Sequence, residues 1–117
     1  MAKVEGLKEV IAALKAKDKH GRAGRVVVGY SAEYAVHVHE NLEVYHRVGQ
    51  AKYLEQPARQ YAGEISKLVR DALAKGFTLV QALFMGGLRL QRESQLLVPV
   101  DTGYLRSSAF TRVESEG

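Results

Sequence analysis

The feature that most constrains this 117-residue chain is a proline close to its C-terminus, followed within a few residues by a glycine. Pro99 has no N–H and pushes Val98 towards an extended conformation, so a helix that precedes it has to end there. The segment reads Leu97-Val98-Pro99-Val100-Asp101-Thr102-Gly103-Tyr104-Leu105-Arg106-Ser107-Ser108. It therefore predicts a helix, a turn and a new start of regular structure.

The turn itself has residues suited to capping. Asp101 and Thr102 have side chains that can accept hydrogen bonds from backbone N–H groups, and Gly103 relieves the backbone. We expect Leu105 to be buried under the turn and Arg106 to face outward, where a neighbouring subunit or protein can contact it. By its local chemistry alone, the segment is also a helix stop and restart of the kind that many unrelated proteins contain.

Composition limits the class of protein. The chain is short enough to be one domain, and it has no cysteine, which excludes disulfides and thiolate metal sites. No apolar run reaches the roughly 18 residues of a membrane helix, and Met1-Ala2-Lys3 does not begin a signal-peptide pattern. The formal charge of +4 is mildly basic, and acidic residues are interspersed nearly everywhere.

The N-terminal half is predicted to form one helix and two strands. Apolar residues at three- and four-residue steps predict an amphipathic helix over Val4–Lys17, followed by a flexible basic loop over 18–24. The β-branched run Arg25–Tyr30 predicts a strand, and alternation predicts another over Tyr34–Glu40. We expect these two strands to pair as a hairpin, and the polar segment 41–52 to be a long loop.

The C-terminal half is predicted to form two helices and a strand. Pro57 suits the first position of a helix that ends at Gly76, and Thr78 to Gln81 resembles a capping box for a helix that runs to about Leu97. Gly86-Gly87 within that helix is costly unless another helix packs closely there or the helix kinks. The final strand is predicted over Ala109–Glu114. The fold class is α+β, with a small antiparallel sheet of about three strands packed by three helices in a single domain.

No catalytic or metal-binding set stands out. The best metal candidate is a histidine cluster in which two imidazoles share one face of the predicted strand, namely His37 and His39 with Glu40 and His46 nearby. Since the glutamate points the other way and no further ligand has motif spacing, partly exposed histidines are the better interpretation. No nucleophile elbow, phosphate loop or spaced carboxylate pair is present. We expect no metal, no cofactor and no enzyme activity.

Two clusters are candidates for binding. Basic residues surround the first loop, where they form either a solvated surface or the wall of a channel that contacts DNA phosphates without reading sequence: Lys17, Lys19, Arg22 and Arg25. Aromatic and basic residues typical of protein interfaces occur in and after the long loop: Tyr45, His46, Arg47 and Tyr53. We interpret the second cluster, together with Arg106, as an oligomer or partner interface.

Two blocks of the sequence resemble one protein family. The segment Pro99 to Ser108 is similar to the Pro-Val-Asp-Thr-Gly-x-Leu-Arg-x-Ser signature of small tailed-phage proteins that lie between head and tail, the neck or tail-completion proteins often labelled minor capsid proteins. Tyr34–Glu40 and Lys52–Arg59 resemble the family's Tyr-Ala block and its Phe-Leu-x-x-Pro-Ala block. Together with the Asp-Thr-Gly signature, these blocks cover roughly half of the chain. In the commoner arrangement of the family the Asp-Thr-Gly block comes before the Tyr-Ala block, and here the order is reversed.

The resemblance implies a structural role for the whole chain as one head–tail connector-like domain. Such a protein forms a homo-oligomeric ring of six or twelve copies that joins head to tail and lets DNA pass. It implies head-completion or adaptor proteins and tail-terminator proteins as neighbours, and a place in the virion after assembly in the host cytoplasm. The alternatives are another virion component, such as a tail terminator or capsid-associated protein, and a basic DNA-binding module.

Overall fold

The computed structural model describes residues 2–5, 10–32, 53–98 and 103–114. These residues form an α+β fold, as the sequence predicts, with four strands and four helices, two of which are short. The strands are β1 (Ala2–Glu5), β2 (Val10–Lys17), β3 (Ala23–Tyr30) and β4 (Ala109–Glu114). The helices are α1 (Glu55–Gln60), α2 (Ala62–Ala74), α3 (Leu79–Gln95) and α4 (Gly103–Ser107).

The strands form one antiparallel sheet in the order β1-β2-β3-β4. Along the middle of the sheet, Ala13 is paired with Val27, and Val27 is paired on its other side with Arg112. The α3 helix packs on one face of the sheet, and α2 packs on α3. The core between the layers contains Leu14, Val26, Val28, Ile65 and Leu83 among its buried residues.

The predicted helix over Val4–Lys17 is wrong, because the described residues of this segment belong to β1 and β2. Ala12 and Leu14 belong to the core between sheet and helices, while Ala13, which points to the opposite face, is also buried. A strand that is buried on both faces loses the alternation of apolar and polar residues. Its apolar residues then also fit a helical period, and only pairing with β3 decides between the two.

The predicted hairpin between Arg25–Tyr30 and Tyr34–Glu40 is also wrong. β3 pairs with β2 on one side and with β4 on the other along residues 25–30, so it has no edge for a third partner. Residues 34–40 themselves lie outside the described residues, as does the loop over 41–52. The strand β3 and the final strand β4 are confirmed where the sequence predicted them.

The segment after Lys17 is a tight β-hairpin turn, where a flexible loop was expected. The N–H of Asp18 donates to the carbonyl of Arg22 at 2.9 Å, and the N–H of Gly21 donates to the carbonyl of Asp18 at 3.0 Å. Gly21 has φ of 79°, a left-handed conformation that glycine adopts without strain. These hydrogen bonds thereby fix the backbone that carries the basic residues of the turn.

The two ends of the α2–α3 connection are confirmed. Gly76 has φ of 97°, and the N–H groups of Gly76 and Phe77 donate to the carbonyls of Leu73 and Ala72, the pattern of a Schellman cap. Thr78 and Gln81 form the predicted capping box, with both reciprocal hydrogen bonds present at 2.9 and 3.1 Å. The helix predicted from Pro57 is divided in two at Tyr61, and it begins at Glu55.

The glycine pair within α3 marks close packing on two sides. A Cβ on Gly86 would lie 3.1 Å from methyl groups of Ile65 and Val69 in α2. A Cβ on Gly87 would lie 2.8 Å from the methyl group of Thr111 in β4. The expected approach of another helix is therefore confirmed for Gly86, whereas Gly87 lets α3 approach the sheet.

Candidate functional site

The described part of the signature turn, Gly103 to Ser108, is a hydrogen-bonded unit between α3 and β4. Leu105 is fully buried beneath it, as predicted. The Ser108 hydroxyl donates to the Leu105 carbonyl at 2.8 Å and accepts from the Ala32 N–H at 3.2 Å. The Ser31 N–H donates to the Ser108 carbonyl at 3.2 Å. The turn therefore also fixes the chain just after β3, while the predicted caps Asp101 and Thr102 lie outside the described residues.

Arg106 does not face outward as predicted; it is partly buried and holds the turn from within. Its guanidinium Nη2 donates to the Val98 carbonyl at 3.0 Å, and its own carbonyl accepts from the Gln95 Nε2 at 3.1 Å. Its Nε atom is buried and has no hydrogen-bond partner among the described residues. The guanidinium thus joins the two sides of the proline break, because Val98 precedes Pro99 and Arg106 follows it.

A buried polar pair lies near this turn. The hydroxyls of Tyr30 and Ser94 are 2.6 Å apart, and both residues are buried. Burial raises the pKa of the Tyr30 phenol well above its usual value, against the smaller opposing effects of Ser94 and of the positive charge on Arg106. At neutral pH the phenol stays protonated, so this pair is a structural hydrogen bond that joins β3 to α3.

Tyr53 is a core residue, which corrects its assignment to an interface. Its ring is fully buried and meets the Tyr30 ring edge to face, with the ring centroids 4.9 Å apart. Sequence analysis placed it at the end of a polar loop, and burial can only be seen once β3 is in place beside it. The other predicted interface residues, Tyr45, His46 and Arg47, lie outside the described residues.

The β2–β3 turn presents the predicted basic cluster, but with part of its charge compensated. Lys17, Lys19 and Arg22 are exposed. The Arg22 Nε donates to the Asp18 carboxylate at 2.8 Å, and hydrogen bonds from the backbone N–H of Arg22 and of His20 help to lower the pKa of Asp18. Arg25 forms an ion pair with Glu114 at 3.0 Å on the outer face of the sheet. Arg25 is thus part of the sheet, and three basic residues remain around the turn.

A groove of about 740 Å³ lies between this turn and the α2–α3 connection. Its apolar lining includes Leu73, Phe77 and Val80, which are 38%, 44% and 37% exposed, and its rim includes Lys17 and Lys19. This apolar surface was not predicted from the sequence. Phe77 between a glycine cap and a capping box was the available signal, because a large aromatic residue in a short helix connection has little room to become buried.

Two large exposed side chains near the signature turn were not predicted from the sequence. Leu96 follows α3 and is 66% exposed, and Tyr104 in α4 is 69% exposed. Leu96 precedes the proline in the sequence and Tyr104 follows it. Among the described residues of this segment, Tyr104 is exposed, whereas Leu105 is buried and Arg106 is partly buried.

The described part of the chain contains no group of three or more histidine, aspartate or glutamate side chains that could hold a metal ion. The predicted cluster of His37, His39, Glu40 and His46 is outside that part. None of the helices in the described ranges is long and apolar enough to cross a membrane.

Comparison with known proteins gave no match: no family model, no curated protein and no solved structure is significantly similar to this chain.

Proposed function

We propose that this chain is a structural protein of a tailed-phage virion, a neck or tail-completion protein whose homo-oligomeric ring joins head to tail and lets DNA pass. The observation that carries the proposal is the ordered signature from Pro99 to Ser108. The hydrogen bonds made by Arg106 and Ser108 give these residue types a physical reason to occur together, since they hold a turn that links the long helix to the final strand.

The surface beside the signature is suited to contact with other proteins. Leu96 and Tyr104 place two large, exposed apolar side chains next to a turn that is fixed from within by Arg106. A rigid surface of this kind loses little conformational entropy when a partner binds. Head-completion or adaptor proteins on one side and tail-terminator proteins on the other are the partners that the proposed position requires.

The β2–β3 turn is the part of the described surface best suited to face DNA. Lys17, Lys19 and Arg22 extend from a fixed turn, and phosphate contacts require only positive charge. Three such residues from each of several copies would produce a weak, sequence-independent attraction that allows DNA to move. This favours the wall of a channel over a tight binding site.

Two other functions compete with this proposal. Another virion role, as a tail terminator or capsid-associated protein, would use the same exposed apolar residues. A basic non-specific DNA-binding module would depend on the β2–β3 turn, but Asp18 compensates Arg22 and Glu114 compensates Arg25. The observed ion pairs therefore favour the structural role over the DNA-binding role.

Cryo-electron microscopy of the phage particle tests the proposal. We expect density for six or twelve copies in one ring at the head–tail junction, and free filled heads and free tails when the gene is removed. A single copy per virion, or copies dispersed over the capsid shell, would contradict the ring. The protein is expected in the host cytoplasm only during assembly.

A further inference from the structure

The groove between the β2–β3 turn and the α2–α3 connection combines an apolar floor with a basic rim. Leu73 near the end of α2, Phe77 in the connection and Val80 in the first turn of α3 provide the apolar side chains. Each of them is more than a third exposed. Single apolar residues scattered over a surface are normal, whereas apolar residues grouped in one place and rimmed by polar ones are typical of contact sites.

Both walls of the groove are held by hydrogen bonds. On the side of the sheet, the Asp18 carboxylate accepts from two backbone N–H groups of the β2–β3 turn at 2.8 and 2.9 Å. On the side of the helices, Phe77 lies between the Schellman cap at Gly76 and the capping box that begins at Thr78. A groove that is formed in advance in this way loses little conformational entropy when a partner binds.

The two walls approach each other at a glycine. Gly24, near the start of β3, is buried, and a Cβ there would lie 3.1 Å from the Leu83 side chain and 3.3 Å from the Leu79 side chain of α3. Leu79 also lines the groove. The lack of a side chain at position 24 thus lets the beginning of α3 lie close to the hairpin, and this approach sets the distance between the walls.

The rim of the groove has an excess of positive charge. Arg22 forms an ion pair with Asp18 at 2.8 Å, so these two charges compensate each other. Lys17 and Lys19 are exposed, and within the described part of the chain neither forms an ion pair. A partner that places carboxylates beside the apolar floor is therefore complementary to the groove in charge.

This combination favours a segment of another protein over a small molecule or DNA. Pockets for small molecules enclose most of the ligand, whereas the apolar side chains of this groove remain largely open to solvent. DNA phosphates bind through positive charge and gain nothing from an apolar floor. A protein segment with both apolar and acidic side chains can use the floor and the rim together.

We propose that this groove binds a segment of another protein in which large apolar side chains contact Phe77 while flanking aspartate or glutamate side chains pair with Lys17 and Lys19. The apolar contacts supply most of the affinity, and the charges at the rim contribute mainly to specificity. The inference goes beyond the proposed function, because it gives the two lysines a protein partner. Such a partner competes with DNA for the lysines but not for Phe77.

Selection from a library of random short peptides displayed on yeast tests the chemistry of the partner, with the purified full-length chain as the target. We expect the enriched peptides to combine aromatic or large aliphatic residues with aspartate or glutamate. A failure to enrich any peptide, or enrichment of peptides that lack acidic residues, would overturn the proposal.

Fluorescence anisotropy with the enriched peptides then tests the apolar floor. Phe77→Ser should weaken binding by at least about tenfold, and Val80→Ser should weaken it in the same direction. Leu88→Ser, at an exposed position of α3 outside the groove, is the matched control and should leave binding unchanged. Thermal melts check that each variant is folded, and equal affinity of folded wild type, Phe77→Ser and Val80→Ser would refute the site.

The rim is tested in the same assay. Lys17→Gln/Lys19→Gln should weaken peptide binding by about three- to tenfold. Arg70→Gln/Arg92→Gln, at exposed positions of α2 and α3, is the charge-matched control and should have little effect. Equal losses in these two double variants would show that net charge alone acts, and the pairing with Lys17 and Lys19 would be wrong.

Duplex DNA separates this inference from the proposed function. DNA binding should decrease in the lysine variant and stay unchanged in Phe77→Ser, because only the lysines contact phosphates. Loss of DNA binding in Phe77→Ser would instead assign the whole groove to nucleic acid. If the peptides bind through the groove but microscopy of the particle places the protein away from the head–tail junction, the inference stands and the proposed function is wrong.

Discussion

Arg106 is a charged residue that acts inside the domain, although its position in a turn predicted a surface role. Its guanidinium reaches back across the proline break to the Val98 carbonyl, and its Nε is shielded from solvent. A surface role predicted for this side chain from its charge gives way to a structural one. Tyr104, two positions earlier, is a large side chain of the same turn that is exposed.

Replacement of Arg106 by alanine should therefore lower the free energy of unfolding. Loss of a hydrogen bond from a charged donor costs about 1.5–3 kcal/mol, and removal of the unpaired Nε offsets part of this, so we expect a net loss of about 1–2 kcal/mol. Arg70→Ala, at an exposed position of α2, is the matched control and should change stability by about 0.5 kcal/mol or less. Equal urea midpoints for the two variants would show that Arg106 does not stabilise the fold.

The Tyr30–Ser94 pair permits a double-mutant cycle. Tyr30→Phe leaves the buried Ser94 hydroxyl without its partner and should cost about 1–3 kcal/mol. Adding Ser94→Ala removes the unsatisfied group, so the double variant should be more stable than Tyr30→Phe alone. Thermal melts of the three variants measure the coupling, and strictly additive losses would show that the 2.6 Å contact contributes little.

At the scale of elements, the α3 helix is shaped by what approaches it. Glycine costs a helix up to about 1 kcal/mol against alanine, and in α3 this cost is offset because Gly86 admits α2 and Gly87 admits β4. A third helical glycine, Gly63 in α2, has nothing within 4 Å of a built Cβ. Substitutions at Gly63, Gly86 and Gly87 therefore compare the effect of an added methyl group at an unpacked helix position and at two packed ones.

We expect Gly87→Ala to destabilise the fold by about 1–2 kcal/mol, since the new methyl group meets Thr111 at 2.8 Å and overpacking exceeds the gain in helix propensity. Gly63→Ala should stabilise by about 0.5–1 kcal/mol. Gly86→Ala should fall between them, because its nearest contacts, at 3.1 Å, are less close than the 2.8 Å contact of Gly87. Thermal melts give the order, and a rise in Tm for Gly87→Ala would contradict close packing on the sheet.

At the scale of the whole molecule, positive charge is spread rather than concentrated. The formal charge is +4, and of the four residues first considered for a DNA channel, Arg22 and Arg25 have acidic partners. Arg25 lies in the sheet, so the basic residues around the β2–β3 turn are Lys17, Lys19 and Arg22, the last of which is ion-paired with Asp18. The isolated protein should consequently bind duplex DNA weakly.

The salt dependence of that binding measures how many phosphates are contacted. Neutralising three phosphates predicts a log–log slope of about −3 for the association constant against salt concentration. Lys17→Gln/Lys19→Gln should reduce the slope by about 2, and Lys67→Gln/Lys75→Gln on α2 and its C-cap is the charge-matched control. A wild-type slope of about −6 or steeper would favour a dedicated DNA-binding module.

Local chemistry in the sequence determined the end of α2, the start of α3 and the final strand. The Schellman cap at Gly76, the capping box of Thr78 and Gln81, and the strand Ala109–Glu114 all depend on residues close together in the chain. Their hydrogen bonds or alternation can be read without knowing the rest of the fold. The burial of Leu105 followed in the same way from the turn that precedes it.

Tertiary structure alone decided the form of the N-terminal segment and the positions of Tyr53 and Arg106. Val10–Lys17 has apolar residues at a spacing that suits a helix, and it is a strand because β1 and β3 pair with it on both sides. Tyr53 is buried because Tyr30 lies beside it, and Arg106 turns inward because the Val98 carbonyl needs a donor. Such contacts join residues that are far apart in the sequence or that lie on either side of the proline that interrupts regular structure. Their energies exceed the local conformational preferences that a sequence pattern reports.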